Sequence, residues 1–200
     1  MYPYAVENTR ERLLALLVQH SFQQSADPIF TLASGRKSRY YINCKATTFM
    51  PEAMVLLGRI FFERIKAVER RFGDRIDAVG GLTLGADPIA YAIAYHSALA
   101  GMPIRAFSVR KEPKGHGVQK WVEGFDQAGA RVAIVEDVVT TGGSTLRAID
   151  GALNAGFQIR AVLALIDRQE GGREELQKKG YVLESVYTTE DLMRAAGKSR

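Results

Sequence analysis

Apolar and polar residues follow two different rhythms along this chain. Leu13, Leu14, Leu16, Leu17 and Val18 mark a first helix. Met54, Leu57, Phe61, Ile65 and Val68 keep a helical period behind Pro51, a residue suited to the first position of a helix. The second rhythm is a series of short continuous apolar runs: Asp77 to Gly81, Ile104 to Val109, Val132 to Val135, Ile159 to Ile166 and Leu183 to Val186. Such runs read as strands covered on both faces rather than strands with one wet side. Leu146, Ile149 and Leu153 then place an amphipathic helix behind the 132–135 strand. Asp87-Pro88 reads as an N-cap and N1 pair opening a helix that stops before Gly101. A short helix is expected to end near Gly180, and Thr188-Thr189-Glu190-Asp191 offers a capping box for a last one. Ile29 to Leu32 and Tyr40 to Asn43 look like short strands around Ser34 to Ser38. Residues 110–125 are polar, contain glycine and lack a period, so one long loop is expected there.

From about residue 51 onward strands alternate with helices, which argues an α/β fold with a central parallel sheet and helices on both faces. Ligands of such sheets bind beyond the carboxyl ends of the strands. The segments 81–86, 110–118 and 136–144 follow strand ends, and Arg168 lies just past a fourth, so they are expected to converge on one rim. The first fifty residues stand outside the alternation and suit a small hood. We therefore expect one domain over 1–200, with an N-terminal helix and hood hairpin in 1–50 and the α/β core in 51–200.

Composition narrows the classes. The chain has 200 residues, 46% hydrophobic and 24% charged, as in an ordinary globular protein. The net charge of +5 is spread out with no basic run of the length a nucleic-acid patch needs, and a polyanionic substrate explains the mild excess equally well. Cys44 is the only cysteine, so no internal disulfide forms, and a cytoplasmic location is expected. No stretch approaches the length of a membrane span, and the N-terminus lacks the pattern of a signal peptide.

The chemistry concentrates in Val132-Ala133-Ile134-Val135-Glu136-Asp137-Val138-Val139-Thr140-Thr141-Gly142-Gly143-Ser144. A strand leads to two carboxylates, then to a loop of hydroxyls and glycines that opens a helix. A loop at a helix N-terminus suits an anion, and its glycines let the ligand come close. Two carboxylates beside a phosphate cradle make sense if the ligand also carries hydroxyls and a metal ion, as a ribose phosphate with magnesium does. A second segment, Arg110-Lys111-Glu112-Pro113-Lys114-Gly115-His116-Gly117, gathers three cations and a histidine. Such a loop can stabilise a departing anion and exclude water.

The 132–144 run resembles the phosphoribosyl-pyrophosphate (PRPP) motif of the type I phosphoribosyltransferases. The resemblance implies that fold, with Glu136 and Asp137 on the ribose hydroxyls, Thr140, Thr141, Gly142, Gly143 and Ser144 gripping the 5′-phosphate, and Val138 and Val139 also in the PRPP-binding set. Arg110, Lys111, Lys114, His116 and Gly117 match the Arg-Lys-x-x-Lys-x-His-Gly pattern of the orotate phosphoribosyltransferase family, narrowing the resemblance to it. It implies transfer of ribose 5-phosphate from PRPP to orotate in pyrimidine biosynthesis, with Asp137, Lys111, Lys114 and His116 catalytic. Arg110 joins the PRPP-binding set; Arg168, Thr140, Tyr40 and Tyr41 fall where the family contacts orotate. Magnesium is expected to be held mainly by PRPP and water, without direct protein ligands. A homodimer with shared sites is implied, and no nucleic-acid or membrane partner. Two positions depart from many members: Ala33 and Gly85 stand where lysines are found, and Lys37 or Lys45 are candidates to compensate. The resemblance spans roughly residues 25–170. The alternatives are a phosphoribosyltransferase acting on a purine base and a non-catalytic PRPP-sensing regulator.

Overall fold

Strand β5 (Ala78–Leu82) lies inside a six-stranded sheet whose order is β10-β9-β8-β5-β6-β7. Its companions are β6 (Arg105–Val109), β7 (Val122–Gly124), β8 (Arg131–Val139), β9 (Gln158–Asp167) and β10 (Leu183–Thr188). This computed structural model describes residues 8–31, 35, 37–112 and 120–198. All sheet neighbours are parallel except β7, which runs antiparallel to β6.

Period-two alternation divides the strands between two cores. Val79, Ala133, Val135, Leu163 and Leu165 join helices α1 (Thr9–His20), α3 (Pro51–Phe72), α4 (Asp87–Leu99) and α7 (Thr189–Lys198) on one face. Ala78, Val132, Ile134, Val162 and Ala164 join α5 (Gly143–Asn154) and α6 (Gly172–Lys178) on the other. Burial on both faces is why these strands read as unbroken apolar runs. In α3, Leu57, Phe61, Ile65 and Val68 are buried and the helix ends at Gly73, which has φ 72°. The capping box forms: the Thr188 N–H donates to Asp191 Oδ2 at 2.9 Å, and the Asp191 N–H to Thr188 Oγ1 at 3.3 Å.

Three expectations need correction. The 110–125 segment is not all loop, because Val122–Gly124 pairs with β6 as an edge strand. Asp87 does not cap α4; Ala86 is the N-cap, and the Asp87 carboxylate instead accepts from Thr83 Oγ1 and Ser108 Oγ, both at 2.7 Å. The two early strands do not pair with each other. Strand β2 (Phe30–Thr31) pairs with β3 (Lys37–Ser38), whereas β4 (Tyr40–Ile42) pairs with β1 (Phe22–Gln24). A four-residue helix, α2 (Lys45–Thr48), then leads toward the core.

The chain passes from β5 outward to β6 and returns to lay β8 on the other side of β5. That reversal of direction creates a crevice at the carboxyl ends of the strands, where ligands of open α/β sheets bind.

Candidate active site

A cavity of about 540 Å³ occupies this crevice. It is lined by residues 136–145, by Thr31 and residues 41–45, and by Arg168. The two acids of β8 both border it, yet alternation sends their side chains to different neighbours. Glu136 lies on the α5 side, where Thr145 Oγ1 donates to its Oε2 at 3.4 Å. Asp137 lies on the hood side, with Oδ2 3.9 Å from Lys45 Nζ and Oδ1 accepting the Val138 N–H at 2.9 Å. Glu136 is only 4% exposed. Burial, and then the charge of Asp137, push its carboxyl well above its ordinary value of 4.5. The pair is thus poised for hydroxyl donors or positive charge, either of which would relieve it.

The loop after β8 is shaped by its glycines. Gly142, the N-cap of α5, has φ 83°, a conformation that side-chain-bearing residues rarely adopt. The loop is also braced from behind. The Gly172 N–H donates to Thr140 O at 2.9 Å, and a Cβ on Gly172 would lie 2.7 Å from Thr140 O and 2.9 Å from Gly142 N. The brace requires a residue without a side chain.

Arg168 follows β9. Its N–H donates to Val139 O at 2.9 Å, extending the β8–β9 ladder into the loops. Its side chain is 7% exposed, Nη2 is 2.8 Å from Glu170 Oε1, and buried Nε has no partner. A buried guanidinium with an unused donor is costly unless a ligand or water takes it up.

The hood places the tyrosines differently from each other. Tyr41 lines the cavity. Tyr40, one residue away and so on the opposite face of β4, stacks on Phe22 at 5.9 Å and packs against the core; it is not among the cavity-lining residues. Of the two candidate lysines, Lys45 lines the cavity, whereas Lys37 donates to Thr31 Oγ1 at 2.7 Å. The buried thiol of Cys44 donates to Asp137 O at 3.6 Å, tying the hood to β8, and burial pushes that thiol up. Thr31, Ile42, Asn43, Cys44 and Thr145 are the lining residues that the sequence reading did not place in the site. Their one local signal was the polar Asn-Cys-Lys that ends the Tyr-Tyr-Ile strand.

Of the cationic loop, Arg110 and Lys111 are among the described residues. Arg110 pairs with Glu123 of β7, Nη2 to Oε1 at 2.7 Å, and Lys111 is exposed; neither lines the cavity. Lys114 and His116 lie outside the described residues. Among the described residues no group of three or more His, Cys, Asp or Glu lies together in a way that could hold a metal ion.

No family model matches the chain. It is 46% identical over 184 residues to the orotate phosphoribosyltransferase of Aquifex aeolicus (strain VF5), covering 92% of this chain and 97% of that protein. The chain belongs to the orotate phosphoribosyltransferase family. Solved structures agree in fold as well as in sequence. The Mycobacterium tuberculosis H37Rv orotate phosphoribosyltransferase in complex with Fe(III) dicitrate superposes with a TM-score of 0.78 at 36% identity, covering 92% of this chain and 98% of that one. The same enzyme in complex with 5-phospho-α-D-ribosyl 1-diphosphate (PRPP) gives 0.73 at 34%, with the same coverage. The fold is that of the type I phosphoribosyltransferases, as the 132–144 run implied.

Gly85, the departure from many members of the orotate phosphoribosyltransferase family, sits directly against the acid pair. With this backbone a Cβ there would lie 2.5 Å from Asp137 Oδ1, so a side chain at 85 requires the Asp137 carboxylate to shift. Ala33 lies outside the described residues.

Proposed function

We infer that the protein transfers the ribose 5-phosphate group of PRPP to orotate, giving orotidine 5′-monophosphate and pyrophosphate. One observation carries the choice of substrate. A single cavity holds an acid pair, a glycine-rich loop at a helix N-terminus and a buried arginine with an unused donor. The first two suit a ribose phosphate; the third suits a base that bears a carboxylate, which an uncharged purine does not.

In this reading the loop from Val138 to Ser144 holds the 5′-phosphate through N–H groups, hydroxyls and the α5 N-terminus. Glu136 and Asp137 accept from the two ribose hydroxyls. As the bond from the anomeric carbon to pyrophosphate lengthens, positive charge grows on the ribose ring and negative charge on the leaving group. Asp137 lies beside the former; Lys45, with Arg110, Lys111, Lys114 and His116 of the cationic loop, would answer the latter. The ring nitrogen of orotate then takes the anomeric carbon, held by Arg168, Thr140 and Tyr41. Excluding water is essential, because water would otherwise capture the same centre.

Magnesium fits as a companion of the substrate. An acid pair facing a polyanion gives it few protein ligands, so PRPP oxygens and water would supply most of its coordination. When bound, it offsets pyrophosphate charge. The chain would act as one catalytic unit over 1–200, in the cytoplasm, and as a homodimer whose cationic loop serves the neighbouring site. The likeness of that loop to the family pattern supports the dimer. Among the described residues no helix is long and apolar enough to cross a membrane.

The test is the loss of orotate absorbance on mixing protein, orotate, PRPP and magnesium, with hypoxanthine and adenine in parallel. Loss that needs PRPP and metal and vanishes in Asp137→Asn is expected. Turnover of a purine instead would overturn the substrate. Firm PRPP binding without turnover of any base would leave a regulator.

A further inference from the structure

The turn that carries Arg168 is built around a strained residue. Gln169 has φ 57° and is the one non-glycine residue, among those described, on the positive side. A side chain there is strained, and such conformations persist only where the surroundings over-determine them. They do so here. The Gln169 N–H donates to Asp167 Oδ1 at 2.8 Å. Asp167 is 1% exposed and also accepts from Arg173 Nε at 3.0 Å. Arg173 Nη1 in turn donates to Leu183 O at 2.6 Å. What the turn brings together is Arg168 and Glu170, with Nη2 2.8 Å from Oε1.

We propose that Glu170 is a specificity-determining residue: a fixed counter-ion that lets Arg168 accept a monoanionic carboxylate while turning away multiply charged phosphate. This rests on the proposed reaction. The need arises because one cavity must sort two anions. A free guanidinium takes phosphate as readily as carboxylate, since both match its fork. With Glu170 on one edge, the Arg168–Glu170 pair carries no net charge. A ligand at the remaining edges then gains directed hydrogen bonds but little net Coulomb attraction, and repulsion from Glu170 grows with each added ligand charge. Phosphate is left to the loop of residues 138–144, and the base end of the cavity stays open for orotate.

The experiment is inhibition by inorganic phosphate in wild type and Glu170→Gln, with PRPP and orotate varied in turn. Wild type should show competition against PRPP only. Glu170→Gln should add competition against orotate, with phosphate binding about tenfold tighter in that mode. A parallel calorimetric titration with phosphate, run without substrates, should show one site in wild type and two in Glu170→Gln. The second should be lost in the Arg168→Leu/Glu170→Gln double variant. An unchanged phosphate pattern in Glu170→Gln overturns the proposal. So does a raised KM for orotate with no new phosphate competition, which would make Glu170 only a positioning residue. If wild type fails to turn over orotate, the reaction fails, and the calorimetry still decides the role of Glu170.

Discussion

Gly172→Ala should damage PRPP binding from behind the site. Gly172 is the first residue of α6, where alanine is the better helix former, so the substitution carries no backbone penalty of its own. The cost comes from the contacts of the new methyl: 2.5 Å from Val139 Cγ1, 2.7 Å from Thr140 O and 2.9 Å from Gly142 N. Two of these are backbone atoms of the proposed phosphate loop and cannot step aside without moving it. Overpacking of this kind costs about 1–3 kcal/mol. Stretching the Gly172 N–H to Thr140 O bond adds about 1 kcal/mol. If about 1.4 kcal/mol of this falls on the bound geometry of the loop, KM for PRPP rises about tenfold. The assay is initial rate with each substrate varied, beside thermal unfolding. Gly180→Ala is the control: it has φ 84° and no atom within 4 Å of a new Cβ, so it bears a strain of about 1–2 kcal/mol far from the loop. Both variants should lose a few degrees of Tm, at roughly 2–4 °C per kcal/mol. Only Gly172→Ala should raise KM for PRPP. If its KM stays within about twofold of wild type while Tm falls, the brace is structural and the reasoning is wrong.

Glu136→Gln should raise Tm near neutral pH and weaken PRPP binding. Burial lifts the Glu136 carboxyl above 4.5, so folding takes up a proton above that pH, and wild-type stability should decline as pH rises from there toward the folded value. A Tm–pH profile in Glu136→Gln as steep as wild type would refute this. Lys45→Ala removes the cavity cation 3.9 Å from Asp137 and should lower kcat/KM for PRPP by about tenfold or more; a change under about twofold would leave Lys45 a bystander. Mixing inactive Lys111→Ala with inactive Asp137→Ala subunits should restore part of the activity if sites are shared; no recovery from a verified mixed dimer would exclude sharing.

Much of the core was legible because its signals are local. The run from Val132 to Ser144 gave strand, acid pair, loop and helix in order, since a doubly covered strand needs continuous apolar residues and the loop needs its glycines. What escaped depends on partners distant in sequence. Strand β7 has one buried residue, Val122, and one neighbour, so Val-Glu-Gly carries no period to read. Hood strands of two or three residues do not state their register, so nothing local shows that β4 pairs with β1 and β2 with β3. Asp87-Pro88 looked like a cap because local sequence cannot show that Thr83 and Ser108 reach the carboxylate. Sequence offers Lys37 and Lys45 as equal candidates, because only the folded hood shows which of the two reaches the cavity. The different fates of Tyr40 and Tyr41, by contrast, follow from alternation along β4.

The clasp between β6 and β7 bears on how the cationic segment can change. Val109 faces Val122, and the Arg110 N–H donates to Trp121 O at 2.9 Å, so both ends of this segment leave the sheet side by side. The junction is closed by the sheet itself, whatever lies between. Doubling the length of a loop whose ends are already held costs only about 0.6 kcal/mol. Insertions and deletions here would therefore leave the fold standing, and selection on the length of the segment would act through its reach rather than through stability.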